Sequence, residues 1–251
     1  MSGAALFARY AFPPNELGYC GPDGAQVLLE RGSAGLDDAD VAARARQFDG
    51  AWPYLEIIAA AAGIHDPLDE RVVEAYWIGN DLLAAVDPAD CIAQLRSRFA
   101  GQVTSGLESL VEAVPHHSFH VFTVYPWVAM LGRGRDAVAL SVLEQCRIRW
   151  GTVTAVAEER ATVVSEPLTY VDGELVLGPE REESVRWSTG GSSLVRELVD
   201  GDLVALHWAW VCDTLEPGQL EALRRWSAHR LAPSGEPQRR VGGRLAPNDG
   251  G

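Results

Sequence analysis

The feature that most constrains this chain is a change in its hydrophobic pattern near residue 145. Before this point, apolar residues recur at helical spacing, as in segments 54–62 and 88–99. After it, short segments such as 152–156 alternate between apolar and polar residues, as strands do. The change predicts a multi-domain α+β protein, with a helical domain over residues 1–143 and a β-rich domain over residues 144–231.

The helical half carries recognisable start and stop signals. Asp37, Asp38 and Asp87 are good N-cap residues, and Pro53 and Gly63 flank one segment in the usual order. After a turn-rich N-terminus, we predict helices at 24–31, 36–48, 54–62, 68–78, 88–99, 105–113, 119–131 and 136–144.

The second half reads as a small barrel of short strands. Asp172-Gly173 between two apolar runs predicts a tight hairpin, and the apolar segment 203–210 predicts one buried strand. A helix follows, since Leu220, Leu223 and Trp226 lie at helical spacing. The segment 232–251 is rich in Pro, Gly and Arg, which predicts a disordered tail.

Three segments of the second half resemble a known family. These are CRIRWGTV beginning at Cys146, GDLVALH ending at His207, and a later helix that opens with Leu-Glu-Pro. Over about residues 144–231 they resemble the HypC/HybG-type chaperones of nickel–iron hydrogenase maturation. The resemblance implies a small OB-like β-barrel with a C-terminal helix. It also implies that Cys146 and His207 hold an iron that bears cyanide and carbonyl ligands. The implied partners are the hydrogenase large-subunit precursor or other maturation proteins.

The residues themselves allow two interpretations of Cys146 and His207. A thiolate and an imidazole together make a soft site for iron or zinc. Alternatively, Cys146 is a small buried hydrophobe and His207 a hydrogen-bonded core histidine. Arg147 and Arg149 flank Cys146 and would favour its thiolate if they point the same way.

A second candidate site lies in the helical half. His116 and His120 are four residues apart, so on a helix they share a face and could chelate a metal. Cys20, in a turn flanked by Gly and Pro, could be a third ligand or a nucleophile with a histidine base. His117 lies about 100° away around such a helix. The alternative is that one histidine caps the helix, another is exposed and Cys20 packs under its turn.

Composition removes several functions. All 21 basic residues are arginine, so lysine-dependent chemistries such as a Schiff base or a Walker-A loop are excluded. A net charge of -14 argues against a nucleic-acid binder. The longest apolar stretch, 121–131, is too short for a membrane span, and the N-terminus lacks a secretion signal. We therefore expect a cytoplasmic protein without nucleic-acid or membrane partners, whose four scattered cysteines are free thiols.

Three functions follow from these observations. The favoured one is an accessory factor of nickel–iron hydrogenase assembly, a chaperone or scaffold rather than an enzyme. In it Cys146 and His207 hold the iron centre or contact the large-subunit precursor. The second is a metal- or thiol-dependent enzyme with a site at Cys20, His116 and His120. The third is an interaction protein without a metal.

Overall fold

The fold is described from a computed structural model, which covers residues 2–35, 39–101, 107–228 and 231. The predicted caps Asp37 and Asp38, the start of the predicted helix at 105–113 and the predicted tail at 232–251 lie outside the described residues. Within them the chain is an α+β protein, as predicted, because a helical first half is followed by a set of short strands.

The first half contains eight helices among the described residues. They are α1 (Gly3–Glu16), α2 (Gln26–Ala34), α3 (Ala39–Ala45), α4 (Trp52–Ala62), α5 (Glu70–Trp77), α6 (Pro88–Arg98), α7 (His117–Phe119) and α8 (Asp136–Cys146). Shorter turns connect some of them. These are 3-10 turns at Asp81–Ala85, Leu107–Ser109 and Val128–Met130, and one π turn at His120–Val124. The π turn directly continues α7, and the single helix predicted at 119–131 is wrong, since the π turn is followed by non-helical residues and then the 3-10 turn at Val128–Met130.

In the described part of the second half there are nine strands and a last helix. They are β1 (Arg149–Val156), β2 (Arg160–Ser165), β3 (Leu168–Val171), β4 (Glu174–Leu177), β5 (Arg181–Arg186), β6 (Ser188–Thr189), β7 (Ser192–Ser193), β8 (Leu203–His207), β9 (Trp210–Thr214) and α9 (Pro217–Ala228). Five strands pair in the order β1-β2-β5-β9-β8, and β8 also pairs with β1, so the sheet closes into a barrel. Among the strand pairs of this barrel that the structure describes, β5–β9 is parallel and the others are antiparallel.

The hairpin predicted at Asp172-Gly173 is confirmed. β3 and β4 pair antiparallel, with Val171 opposite Glu174, so the turn has two residues. Both turn residues have positive φ, 53° for Asp172 and 88° for Gly173. Such turns suit the right-handed twist of the flanking strands, which is why Asp-Gly is a strong local signal.

The prediction of one strand over 203–210 is wrong. The chain reverses at Trp208 and Ala209, so that His207 ends β8 and lies opposite Trp210 at the start of β9. Trp208 has a φ of 53°, a left-handed conformation that is costly for a bulky side chain. The uniformly apolar sequence hid the turn because residues on both sides of it are buried.

The turn-rich N-terminus that we predicted is instead the buried helix α1. Ser2 caps it, since its Oγ accepts a hydrogen bond from the Ala5 N–H at 3.2 Å. Every residue from Gly3 to Asn15 is buried, because α1 packs against α2, α5 and the strands β8 and β9. A helix covered on all sides needs no polar face, so the sequence lacks the amphipathic period that we used to find helices.

One hydrophobic cluster joins the two halves. It contains Phe7 and Tyr10 of α1 together with Trp150 of β1 and Trp210 of β9. Helix α9 returns to the helical half, where Trp226 lies so close to Gly79 that a Cβ there would come within 2.2 Å of its ring. Within the described residues, no helix is long and apolar enough to cross a membrane.

A buried ionic network holds the turn after β8. Arg149 is 1% exposed, and its guanidinium pairs with Glu183 and donates to the Trp208 carbonyl oxygen. The neighbouring Arg147 donates from Nε to Glu144 at 2.9 Å. Arg147 and Arg149 are therefore both paired with carboxylates. Neither guanidinium is directed at the Cys146 thiol, so the condition under which they would favour its thiolate is not met.

Arg149→Met is expected to lower the free energy of unfolding by about 3 kcal/mol, because it leaves the partly buried Glu183 carboxylate without its cation and the Trp208 carbonyl without this donor. Chemical denaturation of the full chain measures this. The matched control is Arg181→Met on β5, where the arginine is exposed and the expected change is within about 0.5 kcal/mol. Equal stability of the two variants would show that the network does not hold the turn.

Candidate metal centre

The three histidines near Pro115 have different surroundings because the helix they begin is interrupted. His116 is the N-cap of α7, and its Nδ1 accepts a hydrogen bond from the Ser118 N–H at 3.1 Å. The ring of His116 also stacks near Trp226 of α9. His120 begins the π turn, and its Nδ1 lies 3.0 Å from the Tyr54 hydroxyl oxygen. The structure therefore does not join His116 and His120 into the predicted pair on one helical face.

Cys146 and His207 come together, and His117 joins them. One ligand atom from each of these three residues lies within 4.8 Å of the others, a separation that a single metal ion could bridge. Cys146 ends α8, directly before β1, and His207 ends β8, the strand that pairs with β1. The pairing of β1 with β8 explains why residues far apart in sequence meet here.

A backbone carbonyl fixes the orientation of His207. Its Nδ1 lies 2.7 Å from the carbonyl oxygen of Tyr10 in α1, so Nδ1 must carry the hydrogen and donate it. Nε2 then holds a lone pair, and it has no hydrogen-bond partner among the described residues. A histidine that binds metal through one nitrogen commonly donates the other N–H to a carbonyl in this way.

His117 is held by a carbonyl in the same manner. Its Nε2 lies 2.8 Å from the carbonyl oxygen of Cys146 and therefore donates to it. Nδ1 is left with the lone pair and faces the Tyr76 hydroxyl at 3.1 Å. That hydroxyl also lies 2.8 Å from the carbonyl oxygen of Gly50, so it can turn its hydrogen there and free Nδ1 for a metal.

These residues line a pocket of about 320 Å³. Its lining includes three imidazoles and two thiols, contributed by His117, His120, His207, Cys20 and Cys146. Most of the remaining lining is aromatic, including Tyr76, Trp77, Tyr125, Trp127 and Trp208. Four of the five residues from the two predicted sites therefore face one pocket, and His116 is not among its lining residues.

Cys20 reaches the pocket from the turn after α1. The Asn15 side-chain amide donates to the carbonyl oxygens of Cys20 and Pro22, each at 2.8 Å, which fixes this turn. Burial raises the pKa of the Cys20 thiol to about 12. The thiol is therefore protonated at neutral pH, the opposite of what a thiolate nucleophile needs.

Burial also sets the protonation of the three close residues. It lowers the pKa of His117 to about 4, against the hydrogen bond to Cys146, and it lowers the pKa of His207 well below its usual range. Both imidazoles are therefore neutral at pH 7, the form that binds metals. Burial, with Cys20 nearby, raises the pKa of the Cys146 thiol far above its usual range. A metal would have to displace that proton.

His117 is the residue that the sequence did not single out as a ligand. Its spacing from His116 and His120 placed it off the presumed metal-binding face. The one sequence feature that pointed to His117 was its place in the segment PHHSFH. Its neighbours Cys146 and His207 belong to the other half of the chain, so no local spacing connects them with it. The candidate ligand set crosses the change in pattern near residue 145, where local periodicity carries no information.

Fold and pocket together define an α+β protein whose helical and β-rich halves meet at a candidate His₂Cys metal centre. The chain belongs to the DUF6390 family, a family of unknown function, whose model matches residues 1–239. The match runs across residue 145, so both halves are part of what defines the family. No curated protein and no solved structure matches the chain.

Proposed function

We propose that the protein is an accessory factor of nickel–iron hydrogenase maturation that holds an iron centre through Cys146 and His207, with His117 as a third ligand. The observation that carries the proposal is the approach of these three side chains to within 4.8 Å of one another. The HypC-like resemblance implies the pair Cys146 and His207, and their approach beside His117, a third side chain of a metal-binding type, supports the proposal.

The donor set fits iron. Imidazole and thiolate are both ligands that iron accepts, although zinc and copper accept them as well. Both imidazoles donate one N–H to a backbone carbonyl, which leaves a lone pair on the other nitrogen. Nε2 of His207 has no hydrogen-bond partner among the described residues, and Nδ1 of His117 can bind once the Tyr76 hydroxyl turns its hydrogen to the Gly50 carbonyl. Three protein ligands leave coordination positions open on the metal, and the 320 Å³ pocket provides room beside them. The iron, when bound, would be the cargo that the protein delivers.

The barrel supports the same proposal through its strand order. If the barrel strands β1, β2, β5, β8 and β9 are renumbered 1 to 5 along the chain, their spatial order is 1-2-3-5-4, and strand 4 closes back on strand 1. Strands 3 and 5, which are β5 and β9, are parallel. A five-stranded barrel of this kind supports the OB-like barrel that the resemblance implies. An OB-like barrel followed by helix α9 is the arrangement that the resemblance implies for HypC-type chaperones.

The partners in this proposal are the large-subunit precursor or other maturation proteins, in the cytoplasm, where free thiols stay reduced. The four cysteines are free among the described residues. The acidic charge of -14 makes nucleic acid a poor partner. Tyr19 is 55% exposed and packs on Trp208, with ring centroids 4.1 Å apart. This places an aromatic residue where a partner could reach the pocket.

The test is a deletion strain complemented with variants. The wild-type gene and Cys91→Ser are expected to restore hydrogenase activity, whereas Cys146→Ser is expected to restore less than about a tenth of it, because a lost ligand removes the cargo. Cys91 is buried in α6 and does not line the pocket, so it controls for the loss of a buried thiol. Anaerobically purified protein, prepared with its maturation partners, is examined for iron and for cyanide and carbonyl infrared bands.

Absence of both iron and these bands, together with normal hydrogenase assembly in the deletion strain, would overturn the proposal. The enzyme alternative requires that Cys20→Ala abolish function while Cys146→Ala does not. The interaction-protein alternative requires that neither substitution matter. Because Cys20 and Cys146 line one pocket, bulky replacements at either position would confuse these outcomes, and Ala or Ser is the proper choice.

A further inference from the structure

Helix α1 contains the one pair of consecutive prolines in the chain, Pro13-Pro14, and continues through them to Glu16. In an α-helix the N–H of residue i+4 donates to the carbonyl of residue i, and in a 3-10 turn the N–H of residue i+3 does so. For Tyr10 these two positions are Pro14 and Pro13, and proline has no N–H. The Tyr10 carbonyl therefore lacks both of its usual helical donors.

This carbonyl is the one that accepts from the His207 ring. Tyr10 is 0% exposed, so water does not reach its backbone, and a buried carbonyl without a donor is costly. The Nδ1 atom of His207, itself 1% exposed, lies 2.7 Å from the carbonyl oxygen and supplies the missing hydrogen. Each group thus satisfies the other in a place where neither meets solvent.

Contacts on either side of this carbonyl hold α1 against the barrel. Arg9 pairs with Asp213 of β9 at 2.8 Å. Phe12 packs edge-on against Trp210, with ring centroids 5.1 Å apart. Because Trp210 lies opposite His207 in the β8–β9 pair, the contacts that position the helix also position the strand that carries the imidazole.

The second imidazole of the centre is oriented by a comparable carbonyl. Cys146 is the last residue of α8, so its carbonyl has no donor within that helix. His117 donates to it from Nε2 at 2.8 Å. Both imidazoles are therefore held by helix carbonyls that their own helices leave without a donor, one because the helix ends and the other because of Pro14.

We propose that Pro14 is a positioning residue for the metal centre: by withholding an N–H from the Tyr10 carbonyl, it leaves that carbonyl to the Nδ1–H of His207 and keeps the Nε2 lone pair for a metal. The inference rests on the proposed metal centre and adds a residue that acts on it through the Tyr10 carbonyl. A neutral imidazole has one ring hydrogen, so the tautomer with the hydrogen on Nε2 cannot bind metal through that atom. An N–H at residue 14 would compete with His207 for the carbonyl and allow this second tautomer to form.

The experiment compares the full-length wild type with Pro14→Ala, which supplies the missing N–H and suits a helix. Long-range proton–nitrogen NMR of metal-free protein with labelled histidine identifies the tautomer of His207, whose signals are assigned by their loss in His207→Gln. Wild type is expected to carry the hydrogen on Nδ1. Pro14→Ala is expected to populate the Nε2–H form in about two-thirds or more of the molecules, and its Co²⁺ affinity is expected to fall by the reciprocal of the fraction that keeps Nδ1–H, about three- to tenfold.

Pro13→Ala is the matched control. In the helical pattern the N–H of residue 13 donates to the Arg9 carbonyl, so this variant is expected to keep the wild-type tautomer, with Co²⁺ affinity within about twofold. Unchanged tautomer in Pro14→Ala, or an equal shift in Pro13→Ala, would overturn the role of Pro14. A shifted tautomer with unchanged Co²⁺ affinity would overturn its link to the metal. If the tautomer shifts as expected but Co²⁺ does not bind even to wild type, the metal centre is overturned while the effect of Pro14 on the His207 ring stands.

Discussion

Cys146→Ser is expected to weaken Co²⁺ or Zn²⁺ binding by about a hundred- to a thousandfold. Structural metal sites bind with about 10–16 kcal/mol shared among their ligands, so the loss of one ligand removes a large fraction of the affinity. The same loss is expected for His207→Gln and His117→Gln, because the three side chains act as one site. Anaerobic titration against a competing chelator measures the affinity.

Controls for this prediction come from residues of the same type outside the site. Cys91→Ser replaces a buried thiol in α6, and His116→Gln replaces a buried histidine that caps α7; both are expected to bind metal as wild type does. Metal at a hundred times its Kd is also expected to raise the unfolding free energy of the wild type by about 2.7 kcal/mol, and of Cys146→Ser hardly at all. If instead Cys20→Ser loses the metal and Cys146→Ser keeps it, the ligands lie on the other side of the pocket.

The metal-free protein is expected to lose about 5 kcal/mol of stability between pH 7 and pH 5. His117, His120 and His207 have lowered pKa values in the folded chain because burial disfavours their charged form. The unfolded chain binds more protons below about pH 6.5, so the stability present at pH 7 is lost as the pH falls toward the folded pKa values. Each histidine contributes about 1.8 kcal/mol over this interval.

One buried carboxyl group opposes this trend. Burial raises the pKa of Asp213 to about 6 despite its ion pair with Arg9. The folded chain therefore takes up this proton more readily than the unfolded chain, which offsets about 1 kcal/mol of the loss between pH 7 and pH 5. The net change is then about 4 kcal/mol, still a large part of the stability of an ordinary domain.

A histidine substitution isolates the contribution of burial. His120→Phe is expected to flatten the dependence of unfolding free energy on pH by about 1.4 kcal/mol per pH unit between pH 5 and pH 6. Urea denaturation at several pH values measures this slope, with His65→Gln as the control for replacing an exposed histidine. A slope in His120→Phe identical to that of wild type would show that His120 takes up its proton without unfolding.

Local sequence signals predicted the parts of the fold that depend on neighbouring residues. Asp172-Gly173 specified a hairpin because the required positive φ values belong to the turn itself. Pro53, Gly63 and Asp87 marked helix ends for the same reason, since capping involves only the adjoining backbone. The sequence did not predict the buried helix α1 or the turn at Trp208, because burial on nearly all sides leaves too few polar positions to reveal an element's period.

By itself, the sequence determined the α+β class, the position near residue 145 where helices give way to strands, and the two groups of thiols and imidazoles from which a site could be built. Only the tertiary structure decided that residues of both groups, Cys20 and His120 from one and Cys146 and His207 from the other, line a single pocket. The β1–β8 pairing brings His207 beside Cys146, and a hydrogen bond to Tyr10, 197 residues away, orients the ring of His207. The interrupted helix turns His117 toward both and His116 away. Such convergence depends on strand register and on the packing of distant helices, and spacing along the chain encodes neither.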